Sequence, residues 1–494
     1  MTKKLDILLS AVGDFQIFGP DKVIVKGIES DSRKIGPGFI FVAIKGLNFD
    51  GHNFISQAIH AGAVAIVGER SYEKVGAKKV TYIRVKDSRR SLGQLTSAWY
   101  GYPSAKMKVI GVTGTDGKTT TANLIYAILK SAGKKVGLVS TINAKIGGKE
   151  IDTGLHVTNP EPLVLQALLQ RMVKAKCEYA VLEVTSHGLD QERAEGVAFE
   201  IGVVTNITHE HLDYHKTFDN YVAAKAKLFA NSKIAVLNRK DTSFNKIRDL
   251  IPRKVQVVSY DPSVLDGQEE VVNKRFPERY NRLNAAAAIS VAKILGVDGK
   301  DIARAIATFP QLPGRLEEVE SAKGIKIFVD FAHTPNALEN VLKTGKEITS
   351  KRLIVVFGCA GERDKGKRPM MGEISGRLAD VSVFTAEDPR REDVNKIIAQ
   401  MVTGARKTGA KELLSTGYQD SNDSSKSHRF VRIPERGEAV SFAVQKIAKK
   451  GDSVLICGKG HEKSMAYGEI EYPWSDKEAA LAALAGGIKV IKRK

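Results

Sequence analysis

Apolar residues in this chain come in short runs that alternate with stretches of helical spacing, and the alternation is renewed three times. Between 22 and 85, runs at 39–44 and 63–67 flank a helical pattern at 54–61. An apolar run at 109–112 is followed by a helix reaching about 131, a strand at 136–140, a helix at 162–174 and strands at 180–184 and 201–204. Beyond Pro313 four more runs, at 325–331, 353–358, 381–385 and 453–457, are separated by amphipathic stretches of helix length. Such alternation predicts an α/β protein, and unbroken apolar runs suit parallel sheets covered on both faces.

The run at 109–112 carries the first chemistry. It ends in Thr113-Gly114-Thr115-Asp116-Gly117-Lys118-Thr119-Thr120, which opens a helix. A strand that delivers glycines to a helix N-terminus gathers backbone N–H groups and the positive end of the helix dipole at one point, where phosphate binds. Lys118 would reach the outer phosphates of ATP and the Thr119 hydroxyl would coordinate magnesium. The spacing is not the usual one: Gly111 and Gly117 are separated by five residues rather than four, and Gly114 and Gly117 by two.

Two further stretches surround that loop. Glu183 lies near the C-terminal end of the buried run at 180–184, the edge at which open α/β sheets bind ligands, and is a candidate magnesium contact or water-polarising acid. His209, His211 and His215 stand within seven residues and invite zinc. Cys177, Cys359 and Cys457 lie far apart, so no disulfide frame or cysteine zinc site is expected, and a hard-cation site using one histidine fits better. Lys225 shares a helical pattern with Tyr221, Leu228 and Phe229, which face a core; a lysine there is costly unless paired or modified.

A length of 494 residues suggests three domains, and a 43% hydrophobic, 27% charged composition is that of a globular chain. No apolar run approaches the roughly 20 residues of a membrane span, and Lys3-Lys4 before Asp6 makes a poor signal peptide, so a cytoplasmic protein is expected. The net charge of +20 is spread along the chain without an aromatic-basic strip. Nucleic acid is therefore not the expected partner, and anionic nucleotide substrates account for the charge.

GVTGTDGKTTTA, LEVTSHGLDQER, TNITHEHLDYH, NYVAAKAKLF, PGRLE, VDFAHTPNAL, GERDKGKRPMMG and CGKGHE occur in the order and spacing of the Mur ligases. The chain resembles that family over nearly its whole length, and within it the enzymes that add the third residue of the peptidoglycan stem. The resemblance implies a small N-terminal α/β domain that binds UDP (1–102), a central P-loop ATPase domain (103–313) and a C-terminal Rossmann-like domain (314–494). It implies ATP and Mg2+ as cofactors, and as partners UDP-N-acetylmuramoyl dipeptide and a diamino acid, in a monomer.

The implied residues follow by position. Gly114, Thr115, Asp116, Gly117, Lys118, Thr119 and Thr120, with Asn281 and Asn284 near adenine and Arg315 and Asp330 from the last domain, would hold ATP. Glu278 stands where the adenine segment usually has glycine. Thr119, Glu183 and His211 would hold magnesium, and Lys225 would be carbamylated. Ser32 with Leu47, Asn48 and Phe49 would hold the uridine diphosphate. Thr158, Asn159, Thr185, Gln191 and Arg193 would contact the sugar-peptide, Asn159 replacing a threonine. Lys118, Glu183, His211 and Lys225 are the implied catalytic set.

The amino acid would meet Arg363, Asp388, Pro389, Arg390, Gly458 and Glu462. Arg390 offers a bidentate fork for a second carboxylate, which meso-diaminopimelate has and lysine lacks. Asp388, where diaminopimelate enzymes usually carry asparagine, could instead favour an ammonium, so lysine stays open, as does a sister ligase such as folylpolyglutamate synthase.

Overall fold

The computed structural model describes residues 1–46, 49–75, 80–151, 159–265, 267–413 and 428–493. The chain divides into two compact units, Met1–Ile207 with Val222–Thr308, and Thr208–Tyr221 with Phe309–Lys494. The fold is α/β throughout, with two sheets of the first unit and one of the second carrying it.

In the first unit a five-stranded sheet runs in the order Phe15–Phe18, Thr81–Val85, Ala65–Gly68, Phe39–Val42, Gly27–Glu29. All neighbours are parallel except the outermost pair, Phe15–Phe18 with Thr81–Val85. Leu92, Leu95 and Trp99 of the helix Ser88–Trp99 cover one face together with Leu5 and Leu8. The eight-stranded sheet places Lys108–Thr113 between Tyr179–Glu183 and Phe199–Val204, parallel to both. Because that strand is flanked on both sides, its run Val109-Ile110-Gly111-Val112 is wholly buried, as a central parallel strand requires. At the edge of the sheet, the polar hairpin Ala144–Ile146 and Lys149–Ile151 escapes a reading based on apolar runs.

The second unit holds seven strands in the order Glu317–Val319, Lys326–Asp330, Ser453–Cys457, Leu353–Phe357, Val381–Phe384, Arg429–Arg432, Lys411–Glu412. The four apolar runs form its centre. Three short strands rich in charge are additions: Glu317–Val319 and Lys411–Glu412 are the two edges, where less burial is needed and charges block further pairing, and Arg429–Arg432 lies next to the second of them. Residues 262–275 form no strand: a 3-10 turn at Pro262–Leu265 leads, past Asp266 outside the described residues, to the helix Glu269–Arg275.

Candidate active site

The loop after Lys108–Thr113 turns at Gly114 and Gly117, both with positive φ (147° and 82°), and the helix Lys118–Ser131 begins at once. A side chain at Gly117 is opposed on two grounds: an L residue is strained at that φ, and its Cβ would lie 2.2 Å from Asn284 Oδ1. Lys118 folds back over the turn, its Nζ donating to the carbonyls of Gly114 (3.2 Å) and Thr115 (2.7 Å). The neighbouring strand end braces the loop. Asn206 accepts the Asp116 N–H on its side chain (3.0 Å) and the Thr115 N–H on its carbonyl (2.7 Å), while Thr205 Oγ1 donates to the Asp116 carbonyl (2.6 Å). Asn284 in turn donates to Asn281 Oδ1 at 3.1 Å, so both asparagines of the helix Arg279–Ile294 belong to this corner.

On the opposite flank Glu183, 2% exposed, accepts the Thr119 hydroxyl at 3.0 and 3.1 Å and the Thr141 N–H at 2.9 Å. The parallel register that sets Glu183 beside Val112 brings this carboxylate to the loop. A buried hydroxyl and carboxylate at the head of such a loop are the hard oxygen donors that suit magnesium shared with nucleotide phosphates. Among the described residues no three acidic, histidine or cysteine side chains form an all-protein metal cage. Lys225, 1% exposed, donates to the Gly114 carbonyl at 2.7 Å from beneath the loop. Its neighbour Lys227 is exposed and pairs with Asp190 (3.2 Å) and Glu192 (3.1 Å).

Asn159 is buried and fully engaged: it donates to the Glu183 carbonyl and accepts from the Thr185 N–H and hydroxyl, while its own carbonyl takes Arg193 Nη1. Asn159, Thr185 and Arg193 thus form one braced cluster behind Glu183. Gln191 closes the short helix Ser186–Asp190.

In the second unit His211 takes a left-handed backbone (φ 58°) at the start of Leu212–His215. Its segment is anchored by an ion pair absent from the expected set: Lys367 Nζ donates to Glu210 Oε1 (3.0 Å) and to the His333 carbonyl (2.8 Å), with both charged side chains almost wholly buried. Burial opposes the charge on Lys367, but Glu210 outweighs it and holds the lysine above its ordinary value. His209 Nε2 meets Asp364 Oδ2 at 3.2 Å.

The C-terminal ends of the central strands in that unit gather the remaining residues. Asp330 accepts the Leu316 N–H (2.6 Å) and the Ala332 N–H (2.8 Å), fixing the turn that carries Arg315, whose guanidinium lies 4.7 Å from the Phe331 ring centre. Asp388 and Arg390 both have positive φ (40° and 51°), and Arg390 Nη1 donates to the Gly361 carbonyl at 2.7 Å. Arg363 lies near it, its pKa lowered first by partial desolvation and then by the Arg390 charge. Glu387 is 6% exposed, its Oε2 has no hydrogen-bond partner among the described residues, and burial pushes its carboxyl up to about 7. Gly458 comes so close that a Cβ there would sit 3.0 Å from that oxygen.

Three family descriptions match the chain: "Mur ligase family, catalytic domain" over residues 24–100, "Mur ligase middle domain" over 112–276 and "Mur ligase, glutamate ligase domain" over 314–460. The UDP-N-acetylmuramoyl-L-alanyl-D-glutamate--2,6-diaminopimelate ligase of Alkaliphilus metalliredigens is 39% identical over 94% of both chains. This chain belongs to the Mur ligase family. The protein of the same name from Parabacteroides distasonis is 38% identical, covering 95% of this chain and 97% of its own. A solved structure of that name is 26% identical with a TM-score of 0.61, covering 98% of this chain and 99% of that one.

In this Mur ligase the sequence-expected residues fall into three groups. The phosphate loop, Glu183, Lys225, Asn281 and Asn284 converge in the first unit, and Arg363, Asp388, Pro389, Arg390, Gly458 and Glu462 lie at strand ends of the second. On the N-terminal sheet Ser32 opens a 3-10 turn capped by Asp31, which Arg33 holds at a pKa of about 2; the Ser32 hydroxyl donates to Gln57 (3.2 Å) and Phe49 is 74% exposed. Leu47, Asn48 and Thr158 lie outside the described residues. Asn206, Glu210, Lys367, Glu387 and Lys459 went unread although each sits within or beside a quoted motif, because their importance is a matter of what they touch.

Proposed function

We propose that this Mur ligase joins meso-2,6-diaminopimelate to the D-glutamate of UDP-N-acetylmuramoyl-L-Ala-D-Glu, using ATP and magnesium, in the synthesis of peptidoglycan precursors. The observation that carries the reading is end-to-end similarity to a ligase named for that reaction, 39% identical over 94% of the chain. Arg390 and Arg363, two cations of the second unit whose charges act on each other, support the dicarboxylic amino acid.

In the reaction, a substrate carboxylate attacks the γ-phosphorus of ATP, whose bond to the bridging oxygen breaks to release ADP, and becomes an acyl phosphate; the neutral amine of the amino acid then attacks the acyl carbon, expels phosphate and gives up a proton to leave the amide. The turn at Gly114–Gly117 holds the phosphates by its N–H groups, and Lys118 swings from the two carbonyls it now caps to the outer phosphates. Thr119, Glu183 and His211 would hold magnesium, which supplies charge neutralisation on the phosphoryl group. Lys225, as a carbamate, would add a negatively charged oxygen to the groups that hold the ion. Asn281 and Asn284 bound the adenine side, and Arg315 and Asp330 act on phosphate and ribose. Ser32, Leu47, Asn48 and Phe49 bind the uridine diphosphate, and Thr158, Asn159, Thr185, Gln191 and Arg193 serve the sugar-peptide. The enzyme works as a monomer in the cytoplasm; no described helix is long and apolar enough to cross a membrane.

The test is phosphate release from purified protein with ATP, magnesium and the UDP-dipeptide, with meso-diaminopimelate or L-lysine in separate reactions. Release with diaminopimelate alone is expected. Release with lysine alone keeps the ligase and overturns the arginine argument, and silence with both overturns the reaction.

A further inference from the structure

Asp388 adds an acid to the amino-acid site, and an acid there should draw a substrate ammonium. The structure shows what that charge already meets. Lys459, whose side chain is 2% exposed, donates from Nζ to Asp388 Oδ1 at 2.8 Å and also pairs with Glu462. The same Asp388 oxygen accepts the Ala466 N–H at 2.9 Å. Burial works against the Lys459 ammonium, but Glu462 and Asp388 outweigh it and keep it charged. Arg363 and Arg390, by contrast, make no ion pair with any described residue.

We propose that Lys459 is a positioning and specificity-determining residue of the amino-acid site: it balances Asp388 and Glu462, leaving Arg390 and Arg363 as cations for a second substrate carboxylate. This rests on the reading of the protein as a diamino-acid ligase. The distal end of diaminopimelate carries an ammonium and a carboxylate, that of lysine an ammonium alone. The two differ by one negative charge, so the sign of the charge balance around that end decides between them. Counted over Asp388, Glu462, Lys459, Arg363 and Arg390, the balance is positive with Lys459 in place and disfavours lysine; without it these groups sum to neutral and two partly buried carboxylates turn to the ligand.

The experiment measures kcat/KM for meso-diaminopimelate and for L-lysine with full-length wild type, Lys459→Met, Asp388→Asn and the double variant, alongside thermal melts. In Lys459→Met the diaminopimelate-to-lysine ratio should fall by roughly tenfold or more. The KM for ATP should not move. Adding Asp388→Asn should restore most of the ratio, and Asp388→Asn alone should raise it above wild type. Equal loss with both amino acids in Lys459→Met, or no recovery in the double variant, overturns the proposal and makes Lys459 merely structural. If Lys459→Met does not fold, Asp388→Asn decides: an unchanged or lowered ratio overturns it. A wild type that prefers lysine overturns the proposal and keeps the ligase, whereas a wild type inactive with both amino acids sinks the functional reading itself, and the proposal with it.

Discussion

The hydroxyl of Thr119 donates to both oxygens of the Glu183 carboxylate, at 3.0 and 3.1 Å, although the two residues are 64 positions apart. Two buried polar groups held in this way form a preorganised pair of oxygen donors, which a hard cation shared with phosphate can enter without further ordering. Glu183→Gln keeps the shape and the hydrogen bond but removes the charge. The expected result is a fall in kcat of at least about a hundredfold, with a higher magnesium concentration needed for half-maximal rate. A variant with an unchanged magnesium titration would remove Glu183 from the metal site.

Gly117→Ala should damage the same site by backbone geometry. Positive φ costs an alanine on the order of 1 kcal/mol or more, and the new Cβ meets Asn284 Oδ1 at 2.2 Å. A lower melting temperature and weaker ATP binding are expected. Asn284→Ala in the same chain should recover the part due to the clash and leave the part due to φ, a coupling that a double-mutant cycle measures.

Lys225→Ala tests the modification. A carbamate forms when the neutral amine adds to the carbon of CO2 and releases a proton, leaving an acid where an amine stood. Lys225→Ala should lose turnover, and a short carboxylate such as acetate at high concentration should restore part of it. Wild type stripped of bicarbonate should slow and recover when it is returned. Failure of both effects would show that Lys225 acts as the ammonium that donates to Gly114.

Stability should depend on pH through Glu387. Its folded pKa, raised from 4.5 to about 7 by burial, means that the native state resists ionisation. The unfolded state gives up the proton first, so the penalty is absent below about pH 4.5, grows as pH rises and is complete above about pH 7. Glu387→Gln should therefore stabilise the protein at pH 8, by up to about 3 kcal/mol. At pH 4.5 it should have almost no effect. Thermal melts of both proteins across that range read the difference, and a gain that grows toward acid would reverse the assignment.

Most of the central elements were legible from apolar runs because they are parallel strands covered on both faces, where each residue has to be apolar. The short strands at the margins of the sheets, Glu317–Val319, Arg429–Arg432 and the hairpin at 144–151, were not, since at or beside an edge less of each strand has to be buried and charge is let in. The glycine turn that opens the helix Lys118–Ser131 could be read despite its spacing, because glycine and the helix start are set by neighbouring residues.

What the sequence by itself determined is the set of local chemistries: a glycine turn feeding a helix, an acid ending a buried strand, a lysine on a core-facing helix, and the motif order that marks a Mur ligase. What only the tertiary structure decided is which of these groups meet. Strand order put Glu183 and Asn206 on either side of the loop, chain reversal put Asn284 under Gly117, and the second sheet brought Lys459 against Asp388, 71 residues away in sequence. The physical reason is range. Backbone conformation and burial pattern are set by neighbours a few positions away, whereas charge balance and hydrogen bonding act between groups a few ångströms apart, whatever their distance along the chain.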